Sequence, residues 1–256
     1  MTDKTLDITE HKQVFGKLEN IVKQTLSKKL HSTNIKSDGI NSGFIDLDKQ
    51  TKGFKKKELT TIAVRPGIGK TSFLLSMVNN IGICHNVPLA LFSLERSADK
   101  IVQRIIESST GLSIPKINKG DISDMELFHV RNVAKDLSKS AIEIIDDASI
   151  TMNELIAKSK ELVENGIEII FIDYLELMVS NILDEESQNK ELEEIVKTLN
   201  KLATDLNVPI VLFSQLSKPV VYSNKYKYTP DYINDNTDNL LFVNRPDFYH
   251  INQIDQ

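Results

Sequence analysis

The sequence predicts an α/β fold, a mostly parallel sheet flanked by helices, and three observations carry that prediction. From residue 58 onward apolar, β-rich runs alternate with helix-periodic segments. The runs are nearly continuous, as from Ile167 to Ile172, which suits strands covered on both faces. The first run leads straight into a glycine turn and then an apolar helical pattern, at residues 65–73.

Taken in order, residues 7 to about 30 place Val14, Leu18, Ile21, Val22, Leu26 and Leu30 at steps of three and four, which predicts one amphipathic helix. Asp7 and Glu10 near its start and Lys28 and Lys29 near its end suit the helix dipole. A polar stretch, His31 to Asn41, sets this helix apart. Residues 1–36 are therefore expected to form a linker-like helix ahead of a domain spanning 37–256. Its stripe fits either the helix's own domain or a neighbouring subunit.

Strands are expected at 59–64, 87–93, 141–146, 167–172, 209–214 and 239–244, and helices at 70–82, 97–109, 123–138, 152–165 and 188–206. Thr151 and Glu154 form a capping box, and Gly111, Gly166 and Asn207 sit where helices should stop. Cys84 is the single cysteine, which excludes an internal disulfide and a cysteine-built zinc site; it is expected as a small buried hydrophobe. A net charge of −5 gives no global basic footprint, so any nucleic-acid contact must be local. No apolar stretch reads as a membrane span or signal peptide, and a cytoplasmic location is expected.

The chemistry concentrates after the first strand. Arg65, Pro66, Gly67, Ile68, Gly69, Lys70, Thr71 and Ser72 read as a phosphate-binding loop. The two glycines let backbone N–H groups converge on phosphate oxygens, and the helix opening near Gly69 adds its positive end. Lys70 is the candidate for the β- and γ-phosphates, and Thr71 for a magnesium ion. Val64 stands where the full pattern has its first glycine. Two other readings compete: a dinucleotide turn with Glu95 as its ribose acid, which lacks the third glycine, and a turn without a ligand.

Ligands of parallel sheets gather at the C-terminal strand ends. Asp173 closes one apolar run and suits the magnesium shell; Glu95 closes another and suits the general base; Gln215 closes a third and suits a γ-phosphate sensor. Asp146 and Asp147 also end a strand but read as loop and cap chemistry. The nearest approach to a guanine-selecting pattern, Asn200 to Ala203, lacks its acid, so ATP with Mg2+ is the expected pair.

In order and spacing, the run Gly39 to Asp48 with Gly53 and Phe54, then Arg65 to Thr71, Phe92 to Glu95, Ile172 to Leu175 and Phe213 to Leu216 resembles the RecA-like ATPase domain of the DnaB-type replicative DNA helicases (superfamily 4). The resemblance covers roughly residues 37–250 and implies a hexameric, magnesium- and ATP-dependent motor on single-stranded DNA. It implies Lys70 and Thr71 at phosphate and metal, Glu95 as the catalytic carboxylate, Asp173 as the magnesium partner and Gln215 as the coupling residue. A loader or primase is an implied further partner, and the first helix an implied packing element against the next protomer.

The sequence is expected to be shortened at both ends relative to that family. About 36 residues precede the domain, and no Lys-Gln-Arg-type segment precedes Gln256. Where the family has basic DNA-gripping loops, this chain has Lys218, Lys225 and Lys227 interleaved with tyrosines, which suits phosphate contact and base stacking and equally suits a plain polar loop. Two rival functions remain at this stage: a nucleotide-binding regulator that joins another helicase ring, and a recombinase-like ATPase that coats DNA.

Overall fold

The computed structural model describes residues 38–178, 185–216, 233, 235–243 and 245. The expected helix at 7–30 and the three candidate DNA-contacting lysines, Lys218, Lys225 and Lys227, lie outside them. Six strands form one sheet: β1 (Leu59–Val64), β2 (Leu89–Ser93), β3 (Ile142–Ile145), β4 (Ile169–Asp173), β5 (Ile210–Gln215) and β6 (Asn239–Val243). Their order is β3-β2-β4-β5-β1-β6, and all five pairings are parallel, so the expected "mostly parallel" sheet is parallel throughout the described strands.

The two-residue period of the strands sorts their side chains into two layers. Ala90, Phe92, Ile170, Ile172, Ile210 and Leu212 pack one face. Leu89, Leu91, Ile169, Phe171, Val211 and Phe213 pack the other. Helices α6 (Met152–Glu164) and α7 (Glu185–Leu206) cover the first layer through Leu155, Leu162, Val196 and Leu199. Helices α2 (Lys70–Val78) and α3 (Ala98–Thr110) cover the second through Leu74, Met77, Ile101 and Ile105. Both faces are thus covered, which is why the runs lack alternation. Helix α5 (Asp124–Lys139) has no buried residue and starts at a second capping box, Ser123 with Glu126.

Three short elements were not expected: α1 (Ile45–Thr51), α4 (Ile114–Asn118) and a 3₁₀ turn, Leu175–Met178. Each is seven residues or fewer, too short for a helical period to show. The expected helix 70–82 is α2 followed by a π-helical segment, Asn79–Cys84. That segment corrects the reading of Cys84, which is exposed rather than buried. The widened turn buries Ile81 and Gly82 against the sheet and carries Cys84 off the apolar stripe. Asp146 and Asp147 do the structural work expected of them: Asp146 accepts from the Ala98 N–H at the start of α3 (2.7 Å), and Asp147 from both polar groups of Ser149. Among the described residues no helix is long and apolar enough to cross a membrane.

Candidate functional site

The buried strand β1 ends at Val64, which pairs with Gln215 on one side and Val243 on the other. Val64 is thus a sheet residue, and the missing first glycine falls before the turn begins. In the turn, Gly67 and Gly69 take φ values of 81° and 107°, a conformation that L side chains rarely adopt. A Cβ on Gly69 would meet nothing within 4 Å, so backbone conformation rather than crowding demands glycine there. Helix α2 opens at the next residue, its Phe73 N–H donating back to the Gly69 carbonyl (3.0 Å). No acidic residue of the helix itself occupies its first turn, which is the positive end of the helix dipole.

Lys70 and Thr71 are both buried at that helix start. The Lys70 ammonium lies 2.7 Å from Asp173 Oδ1, 3.3 Å from Glu95 Oε2 and 3.4 Å from the centre of the Tyr174 ring. Residues far apart in sequence, 70, 95 and 173, therefore meet at one cation. Glu95 is about a third exposed and also faces the Arg96 guanidinium at 3.7 Å. Asp173 is wholly buried, and the one close partner of its carboxylate is the Lys70 ammonium. Burial pushes the Asp173 carboxyl above the usual carboxylate range, with the Lys70 charge opposing.

Gln215 ends β5, and its backbone N–H donates to Glu176. Sequence reasoning misses Glu176. It sits on the 3₁₀ turn just past Asp173, accepts from the Ser214 hydroxyl as well, and its carboxyl is pushed up by burial against the pull of those hydrogen bonds. The signal is present in the chain: an acid three residues beyond a strand-ending acid, inside an apolar run, needs a partner if it is buried.

Arg65 is half-buried, and Pro66 and Gly67 are exposed at the lip of the loop, while Ile68 packs into the α2 side of the core. Ser72 faces away from the cluster: it lines a groove with Arg104, Glu107 and Ser108 of α3. Among the described residues no group of three or more His, Cys, Asp or Glu could hold a metal. A magnesium ion does not require one, since it keeps several waters and takes one or two protein oxygens plus phosphate oxygens. The buried Asp173 carboxylate, which has one close partner in Lys70, and the buried hydroxyl-bearing Thr71 fit that limited demand.

The family model of the DnaB-like helicase C-terminal domain matches residues 39–256. Replicative DNA helicase DnaB of Geobacillus stearothermophilus is 31% identical over 258 residues, covering 96% of this chain and 57% of the relative. Replicative DNA helicase DnaC of Bacillus subtilis is 30% identical over 244 residues, covering 92% of this chain and 54% of the relative. Among solved structures, a DnaB-like replicative helicase, described with its interactions with primase, aligns with a TM-score of 0.74 at 24% identity and covers 100% of this chain and 60% of that one. A separately solved ATPase domain aligns with a TM-score of 0.73 at 25% identity and covers 90% and 84% of the two chains. The chain spans about half the length of the curated relatives it matches.

Proposed function

The chain belongs to the DnaB-like helicase C-terminal domain family, and on that premise we propose that it binds and hydrolyses ATP with magnesium as a ring-forming motor that moves on single-stranded DNA and parts the duplex. The single observation that carries the chemical part of this reading is the Lys70 cluster: a phosphate loop whose lysine is held within 3.3 Å of two strand-end carboxylates.

In this reading the N–H groups around Gly67 and Gly69 and the start of α2 receive the phosphates. Lys70 leaves its two carboxylates for the β- and γ-phosphate oxygens and holds charge there as it develops. Thr71, and Asp173 directly or through water, would hold magnesium, which would supply charge neutralisation to the phosphates. Glu95, partly exposed and no longer neutralised by Lys70, orients the attacking water and accepts its proton. The new bond runs from water oxygen to the γ-phosphorus, the bridging oxygen–phosphorus bond breaks, and ADP departs with that bridging oxygen. Gln215 senses whether the γ-phosphate is present.

The DNA contact of Lys218, Lys225 and Lys227 rests on sequence alone. So do assembly with further copies or with another helicase in a mixed ring, contact with a loader or primase, and a cytoplasmic location. Steady-state ATP hydrolysis with and without single-stranded DNA, with Glu95→Gln as control, tests the proposal. DNA-stimulated turnover that the substitution removes supports a motor. ATP binding without turnover in the unsubstituted chain overturns the hydrolytic reading and favours a regulatory partner of another ring.

A further inference from the structure

The geometry points to Glu176 as a positioning residue that ties the Gln215 strand end to the Asp173 strand end across a gap where the sheet itself has opened. The register shows that gap. Strands β4 and β5 pair through Ile170↔Ile210, Phe171↔Val211 and Ile172↔Leu212 and go no further. At the next residue the two part. Asp173 pairs outward with Ser93 of β2, while Ser214 and Gln215 continue outward with Ala63 and Val64 of β1.

The parting leaves the β4-facing edge of β5 short of acceptors. Backbone N–H groups alternate sides along a strand, and Leu216 N–H donates toward β1, to the Val64 carbonyl at 3.0 Å. The Gln215 N–H therefore points to the β4 side, where the ladder has ended. Both oxygens of the Glu176 carboxylate take it, at 3.1 and 3.0 Å, and one also accepts from the Ser214 hydroxyl. A side chain from the turn after β4 thus stands in for the strand that has swung away. The 3₁₀ turn, Leu175–Met178, follows Asp173 with one residue between, so the tether is nearly rigid with respect to the carboxylate beside Lys70.

This inference rests on the reading of Gln215 as the residue that senses the γ-phosphate. Movement at Asp173 passes through Glu176 to the Gln215 backbone, and Gln215 is held at a fixed place over the site instead of fraying with the strand end. Loss of a charge-assisted hydrogen bond to a buried N–H is the physical content of the tether.

The test uses the full chain with Glu176→Ala and Glu176→Gln. Amide hydrogen exchange in the segment 209–216 reports the tether directly, and Glu176→Ala is expected to speed exchange of the Gln215 amide by about tenfold or more, leaving the α2 amides as they were. Glu176→Gln keeps an acceptor and is expected to stay within about threefold of the parent. In ATP turnover, Glu176→Ala should lower kcat by about tenfold with KM changed by less than about twofold, and Glu176→Gln should restore most of it. Unchanged exchange in Glu176→Ala overturns the tether. Faster exchange with unchanged kcat overturns the positioning role, and a joint fall of kcat, nucleotide affinity and thermal midpoint reduces Glu176 to packing. Should Gln215→Ala leave turnover intact, the sensor reading of Gln215 fails, while the exchange experiment still scores the tether.

Discussion

Asp48 and Asp173 are both carboxylates removed from water, and the molecule treats them in opposite ways. Asp48, 4% exposed, accepts from the Ser42 N–H and hydroxyl at 2.7 Å each and from the Gly43 N–H at 3.1 Å. Asp173, 0% exposed, has the Lys70 ammonium at 2.7 Å as its one close partner. At Asp48 three donors replace the lost water, and the result is a staple that shapes the segment leading into β1. At Asp173 the lost water is replaced by one cation that is itself shared with Glu95 and Tyr174. A buried polar group with unused valence is costly, and such groups are retained where a ligand supplies the missing partners. The contrast separates a carboxylate that builds the fold from one that, on the proposed reading, is set aside for chemistry.

The sharpest break of that contrast is at the shared cation. Lys70→Met keeps side-chain bulk and removes the charge, and ATP turnover is expected to fall by about 10²–10³, the loss typical of a single group that stabilises developing charge. A kcat within tenfold of the parent would detach the Lys70 cluster from hydrolysis. Next in size is Asp48→Ala, which strands three donors at once. It should cost about 3 kcal/mol in denaturant unfolding, since each lost charged hydrogen bond carries a desolvation penalty. In the fraction that stays folded, the KM for ATP should hold, because Asp48 touches none of the cluster residues. An Asp48→Ala chain as stable as the parent would end its role as a staple.

Legibility in the sequence follows the same division. The four central strands, β1, β2, β4 and β5, are readable because each is an apolar run buried on both faces, and β1 falls on its expected residues, 59–64. The turn between β1 and α2 is readable because its φ values of 81° and 107° fall where L side chains rarely go and glycine goes freely. Glu95, Asp173 and Gln215 emerge from asking which polar residues end apolar runs, and two of them do meet at Lys70. Glu176 escapes because that question stops at the strand end, while Glu176 lies in a four-residue 3₁₀ turn beyond it. Its partners, Ser214 and Gln215, are 38 and 39 residues away in sequence, a separation set by tertiary pairing. Cys84 misleads because an α-helical period does not carry through a π-helical turn.

A smaller effect sharpens the comparison from the other side. Asp173→Asn removes a desolvated charge along with the attraction of Lys70, which keeps Glu95 and Tyr174, so unfolding free energy should change by no more than about 1 kcal/mol. Magnesium-dependent nucleotide binding, read by fluorescent ATP titration, should be lost in the same variant. A destabilisation as large as that of Asp48→Ala would make Asp173 a second staple.

The smallest expected effect is one of pH, and its sign follows from burial. The carboxyls of Asp173 and Glu176 have ordinary values of 3.8 and 4.5, and burial raises both in the folded chain. Between the ordinary values and the raised ones the native state holds more protons than the unfolded state, so these two groups lower stability as pH rises through that window. The exposed acids slope the other way: Glu126, drawn down to about 2 by hydrogen bonds from Lys116 and Ser123, and Glu154, lowered by Thr151, lose their stabilisation as pH falls. The opposing slopes overlap in the parent chain and separate in a difference. Subtracting the thermal midpoint of the parent from that of Glu176→Gln removes every slope but one. That difference should climb with pH across the window, by about 2–4 °C for each kcal/mol involved. A flat difference would mean that Glu176 titrates alike folded and unfolded, its hydrogen bonds from Ser214 and Gln215 offsetting its burial in full.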